Sequence, residues 1–222
     1  MKLLPILLLI ACSMDQGLSN DPENSLIPAP EEQLDIVYVL DNSCSMLGDW
    51  ATLTFGLAYA TSELNQLDTD WQLSMISMDP ADTDLWIEIY PTESSSWEVV
   101  TKISDLRSAA GGGEAGFDSL LTQQDLHSGW FRDGWLLIVF VSDEEEQSTT
   151  TTTDNLRQSQ SQPLWITSVV GPNVDPENNT TQWYPAPETP CYAEKALKYH
   201  NVADSTVDIC TREPFSVFTG LF

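Results

Sequence analysis

The chain has 222 residues, 41% of them hydrophobic and 8 of them Trp, which suffices for one domain with a filled core but not comfortably for two. Against 34 acidic residues stand 8 basic ones, a net charge of −26. That balance weighs against nucleic-acid binding and against peripheral binding to anionic lipid, since both need Lys and Arg. It favours solubility and cation binding.

Residues 1–11 open "MKLLPILLLIA", one Lys followed by an apolar stretch. The stretch is shorter than the ~20 residues of a membrane span and reads as a secretory signal. The ending "LIAC" resembles the lipobox of bacterial lipoproteins, which implies cleavage before Cys12, lipidation of that Cys and a membrane anchor there. An ordinary signal peptide with an incidental Cys is the alternative. Ser13 follows Cys12 instead of the Asp that resembles an inner-membrane retention signal, so the outer membrane is the expected address. Residues 12–33 carry acids and prolines without apolar periodicity and read as a flexible tether. About 20 such residues reach roughly 25 Å.

From residue 34 onward, strand and helix patterns alternate through residue 222. "LDIVYVL" (34–40) is a continuous apolar run, as in a strand buried on both faces. Met46, Trp50, Leu53, Leu57, Ala60, Leu64 and Leu67 then step by three and four, one face of a long helix. "WQLSMISM" (71–78) and "DLWIEIY" (84–90) alternate on either side of Asp79-Pro80 and suggest an antiparallel edge hairpin. Helices are expected over 94–109 and 114–126, broken by "AAGGG". "WLLIVFV" (135–141) is the expected central strand. A polar loop then enters a short helix, "PLWITSVVG" (163–171) is a buried strand, and 191–201 is a helix before an edge strand near Thr206–Ile209. This alternation implies an α/β fold, a doubly wound and mostly parallel sheet with helices on both faces. Cys191 and Cys210 are the natural disulfide pair of an exported chain, which leaves Cys44 unpaired.

Sites in such sheets form beyond the carboxyl ends of strands. Asp41 ends one apolar run, with Ser43 and Ser45 after it, and Asp143 ends another in "VFVSDEEE". An oxygen-only set without His or Cys suits a hard cation, Mg²⁺ or Mn²⁺ or Ca²⁺. The competing reading makes a serine the helix N-cap and lets Asp41 bond the loop backbone.

"DIVYVLDNSCSM" (35–46) resembles the Asp-x-Ser-x-Ser motif of von Willebrand factor type A domains, with "VFVSDEEE" resembling the strand that brings their second Asp. The resemblance covers residues 34 to about 220. It implies a metal-ion-dependent adhesion site with Asp41, Ser43, Ser45 and Asp143 around a divalent cation, and an open coordination position for a carboxylate of a protein partner. The family's Thr after the glycines aligns here with Glu114. Glu114 is either a further ligand or a solvent-facing helix N-terminal acid. Glu144 and Cys44 also depart, each standing where Gly is usual. The expected function is a lipid-anchored, non-enzymatic envelope module that binds a protein through the cation. The alternatives are a scaffold with a degenerate, metal-free site, and a metal-dependent hydrolase.

Overall fold

The computed structural model describes residues 33–48, 50–66, 69–91, 96–108, 113–170 and 197–208. The signal segment, Cys12, the tether up to residue 32, Cys191 and Cys210 lie outside these residues, and Gln33, the last residue of the expected tether, already belongs to the first strand. Strand β1 (Gln33–Leu40) leads through a 3₁₀ turn (Ser45–Gly48) into helix α1 (Trp50–Leu64). Strands β2 (Asp70–Ser77) and β3 (Trp86–Ile89) follow, then helices α2 (Ser96–Ser108) and α3 (Gly116–Leu126). Strand β4 (Trp135–Ser142), helix α4 (Thr153–Ser159), strand β5 (Leu164–Val170), helix α5 (Leu197–Val202) and strand β6 (Ser205–Asp208) complete the described chain. No helix among the described residues is long and apolar enough to cross a membrane.

The strands form one six-stranded sheet in the order β3-β2-β1-β4-β5-β6. Every pairing is parallel except β2 with β3, the expected antiparallel edge. Alternate residues of a strand point to opposite faces, and both faces here are covered. Ile36, Tyr38 and Leu40 pack with Leu137 and Val139 against α1 and α2. Val37 and Val39 pack with Ile138 and Phe140 against Phe117, Leu156 and Tyr199 of α3, α4 and α5. That two-sided burial is why β1 and β4 read as unbroken apolar runs.

Two details differ from the sequence reading. The helix expected to run from Met46 begins as a 3₁₀ turn, and α1 starts only at Trp50. Gly48, a poor helix former, stands at the break. Met46 is nonetheless buried with Trp50, Leu53, Leu57, Ala60 and Leu64 on the predicted face. In β2 the alternation does not mark a wet face, because Trp71 through Ser77 are all buried. Two of the buried polar positions find partners, Gln72 Nε2 donating to Trp130 O at 2.6 Å and Ser77 Oγ to Asn42 Oδ1 at 2.9 Å, while the Ser74 hydroxyl is buried without one.

The sheet's switch point lies between β1 and β4. The chain leaves β1 toward β2 on one side and returns at β4 on the other. The crevice beyond those two carboxyl ends is where ligands of open α/β sheets bind. Asp41 follows one strand and Asp143 the other.

Candidate metal centre

Asp41 continues the β1–β4 ladder: its N–H donates to Val141 O at 2.9 Å. Its side chain is only 1% exposed. Oδ1 accepts Ser43 N–H at 2.8 Å, and Oδ2 accepts the Ser142 hydroxyl at 2.7 Å. Asp41 therefore does bond the loop backbone. The serines, however, do not spend their hydroxyls on capping. Ser43 Oγ and Ser45 Oγ stand 2.7 Å apart, and Ser45 Oγ donates to Asp143 Oδ1 at 3.0 Å. Asp41, Ser43, Ser45 and Asp143 are thus joined in one continuous hydrogen-bonded run across the switch point.

Glu114 is brought to the same place from the loop before α3. It is 6% exposed, which overturns the reading of a solvent-facing acid. Gln147 Nε2 donates to its Oε2, and Gln147 N–H donates to its carbonyl at 2.8 Å. Burial pushes the Glu114 carboxyl up to about 8, helped by a hydrogen bond with Glu144 and by the charges of Glu144, Asp41 and Asp143. Burial also pushes Asp143 up to about 7, with Asp41 adding to the rise and the Ser45 hydrogen bond opposing it. Buried carboxylates near one another, without a compensating cation, hold their protons in this way.

The donor set fits a hard divalent ion by chemistry, since every candidate atom is a carboxylate or hydroxyl oxygen. Among the described residues no group of three or more Asp, Glu, His and Cys side chains is arranged to hold a metal ion alone. An ion here would need the serine hydroxyls as well.

The loop between β4 and α4 supplies what sequence reasoning missed. "SDEEEQS" drew notice for Asp143, yet its neighbours do as much. Ser142 orients Asp41 and accepts the Glu144 N–H at 3.0 Å. Gln147 holds Glu114, and Glu146 is itself only 2% exposed. Cys44 is exposed and its thiol is free. His127 stacks on Trp86 with ring centroids 4.2 Å apart.

No protein-family model matches the chain, and no curated protein matches it. Solved structures do. A von Willebrand factor type A protein from Catenulispora acidiphila superposes with a TM-score of 0.51 at 16% identity, over 86% of this chain and 41% of that one. The fold is that of a von Willebrand factor type A domain. Proximal thread matrix protein 1 from the mussel byssus gives a TM-score of 0.55 at 11% identity, over 88% of this chain and 46% of that one. One structure of the mussel protein has a zinc-occupied MIDAS motif. An aerotolerance-related membrane protein from Bacteroides fragilis gives 0.52 at 12% identity, over 85% of this chain and 96% of that one. The chain spans less than half the length of the Catenulispora and mussel proteins. At these identities the von Willebrand type A likeness is one of fold, and the site's use must be argued from its own atoms.

Proposed function

We propose that this chain is a non-enzymatic binding module that engages a protein partner through a divalent cation at the carboxyl edge of its sheet. Asp41, Ser43, Ser45 and Asp143 hold the ion, and Glu114 completes the set. Mg²⁺ is the expected ion, with Mn²⁺ and Ca²⁺ as hard alternatives. When bound, the ion offers a partner oxygen, such as a carboxylate, a Lewis-acidic position. Lipidation at Cys12, on the strength of "LIAC", ties the module to a bacterial membrane, and Ser13 after it points to the outer one. The observation that carries the reading is the pair of buried carboxyls at the switch point, Asp143 and Glu114, pushed up to about 7 and about 8 beside Asp41. A cation is the natural relief of that repulsion. Meanwhile Ser142 holds one Asp41 oxygen and Ser45 reaches Asp143, so the carboxylates are oriented before any ion arrives.

A metal that binds only the folded state stabilises it by about 2.7 kcal/mol at a hundredfold excess over its dissociation constant. Melting at constant ionic strength should therefore rise with Mg²⁺ or Mn²⁺ in the wild type, and not in Asp41→Ala or Asp143→Ala. Asp21→Ala, in the tether, should respond like the wild type. An equal response in wild type and Asp41→Ala would reduce the effect to screening of a −26 chain. Pull-down from envelope extract, with Mg²⁺ and then with chelator, reads the partner.

A second reading has its own support. Gln147 already holds Glu114, and among the described residues no group of acids is arranged to bind an ion alone. On that reading the domain is a scaffold whose site stays closed by protonation. The same titration decides, because a scaffold shows no site-specific metal response.

A further inference from the structure

Two loops carry the buried acids of the site, and they are far apart in sequence. Glu114 precedes α3, while Asp143 opens the segment between β4 and α4. The sheet holds each from below: Asp143 directly follows β4, Ser119 Oγ of α3 donates to Ser77 O at the end of β2 at 2.6 Å, and Gly113 N–H donates to Asp79 Oδ2 at 3.1 Å. Side chains also run between the two loops, and the central one is Glu146.

Glu146 is 2% exposed. Its Oε2 accepts the N–H of Phe117, in the first turn of α3, at 3.3 Å. Its Oε1 accepts the N–H of Ser148, in its own loop, at 2.6 Å. The Tyr199 hydroxyl of α5 lies beside this carboxylate and donates to Met78 Sδ at 3.2 Å. One carboxylate thus gathers donors from the α3 start and the β4–α4 loop, and Lys198 Nζ of α5 donates to the same residue's carbonyl oxygen at 2.7 Å. Gly116 belongs to this packing. A Cβ there would stand 3.1 Å from Glu146 Oε2 and 3.1 Å from the Tyr199 hydroxyl, tighter than side chains normally pack. The bare glycine lets the α3 start close onto the carboxylate.

The stitching continues on either side of Glu146. Gln147 bonds Glu114 through both its backbone and its amide. Asp118 accepts the N–H of Thr149 at 3.0 Å and of Thr151 at 2.7 Å, and its own N–H donates to Ser148 Oγ at 2.8 Å. Among these acids of the seam, Glu146 is the one whose carboxylate accepts a backbone N–H from both α3 and the β4–α4 loop.

We propose that Glu146 is the positioning residue of the site: a buried clamp that fixes the Glu114 loop against the Asp143 loop. It touches no ion and no partner. The consequence for metal affinity rests on the metal-binding reading above, whereas the clamp itself does not. Residues that orient ligands from behind typically govern affinity by 10–100-fold.

The test compares Glu146→Gln and Glu146→Ala with Asp35→Asn, each in the 222-residue chain. Asp35 is equally buried and salt-bridged to Arg132 at 2.7 Å, but it lies at the opposite end of β1. The first readout is amide hydrogen exchange without metal. Both Glu146 variants should speed exchange at 114–119 and 146–151 together and leave the β1 and β4 amides protected. Asp35→Asn should leave both loops unchanged. Loosening of one loop alone, or of neither, overturns the clamp. The second readout is Mn²⁺ affinity by electron paramagnetic resonance. Both Glu146 variants should bind about tenfold more weakly or worse, and Asp35→Asn should bind as the wild type does even if it melts earlier. Loosened loops with wild-type Mn²⁺ affinity overturn the positioning role. A wild type that binds no Mn²⁺ overturns the metal reading, and the exchange data still decide the clamp.

Discussion

At the scale of single residues, Glu114 is where this chain departs most from the motif it resembles. A carboxylate that is 6% exposed and faces Glu144, Asp41 and Asp143 must hold a proton or meet a cation. The pH dependence of stability follows from that choice. Glu114 rises to about 8 from an ordinary 4.5, and Asp143 to about 7 from 3.8. Both are raised acids, so across that window the folded chain binds more protons than the unfolded one. Stability therefore falls as pH rises, being fully present below the unfolded values and lost through the folded ones. In chelator, the wild type should melt at a higher temperature near about pH 5.5 than near about pH 8.5. Glu114→Gln cannot ionise, and its slope should be visibly shallower. An unchanged slope would mean that Glu114 is not desolvated. Bound metal reverses the sign, because it needs the carboxylates deprotonated.

At the scale of elements, legibility followed burial. β1 and β4 were readable because burial on both faces fills them mostly with apolar residues, and α1 because its buried face recurs every three or four. β2 was read as alternating, and its polar residues proved buried. The partners of Gln72 and Ser77 lie too far along the chain to see, Trp130 being 58 residues from Gln72 and Asn42 35 residues from Ser77. The Asp35–Arg132 bridge spans 97 residues and was invisible for the same reason. The site divides likewise. Asp41, Ser43 and Ser45 are contiguous, and Asp143 is marked by the end of an apolar run. Ser142, Gln147 and Glu146 matter only through folded pairings, so nothing in the acid run around them marked their roles. The junction of β1 with the start of β4 offers an element-scale test. A Cβ on Gly134 would lie 2.2 Å from the Gln33 backbone oxygen, whereas one on Gly129 meets nothing within 4 Å. Gly134→Ala should cost about 1–3 kcal/mol or more through overpacking. That would appear as a lower urea midpoint at unchanged slope, with Gly129→Ala close to wild type. Equal midpoints for the two variants would contradict this close approach.

At the scale of the whole molecule, the fold and the charge pull in opposite directions. The doubly wound topology delivers two strand ends, and the acids that follow them, to one crevice. A chain of net charge −26 adds long-range repulsion on top of that local crowding. Salt separates the two. Exposed charges are screened beyond about 10 Å at 0.1 M ionic strength, while buried ones are screened much less. Raising NaCl should therefore lift the melting temperature steadily and then level off, in wild type, Asp41→Ala and Asp143→Ala alike. On that plateau, where general repulsion is already quenched, Mg²⁺ at matched ionic strength should still raise the wild type and leave both variants where they were. If the Mg²⁺ increment vanishes on the plateau, the stabilisation belongs to the whole acidic surface and not to the crevice between β1 and β4. If it survives there in Asp41→Ala, the ion sits elsewhere than beside Asp41.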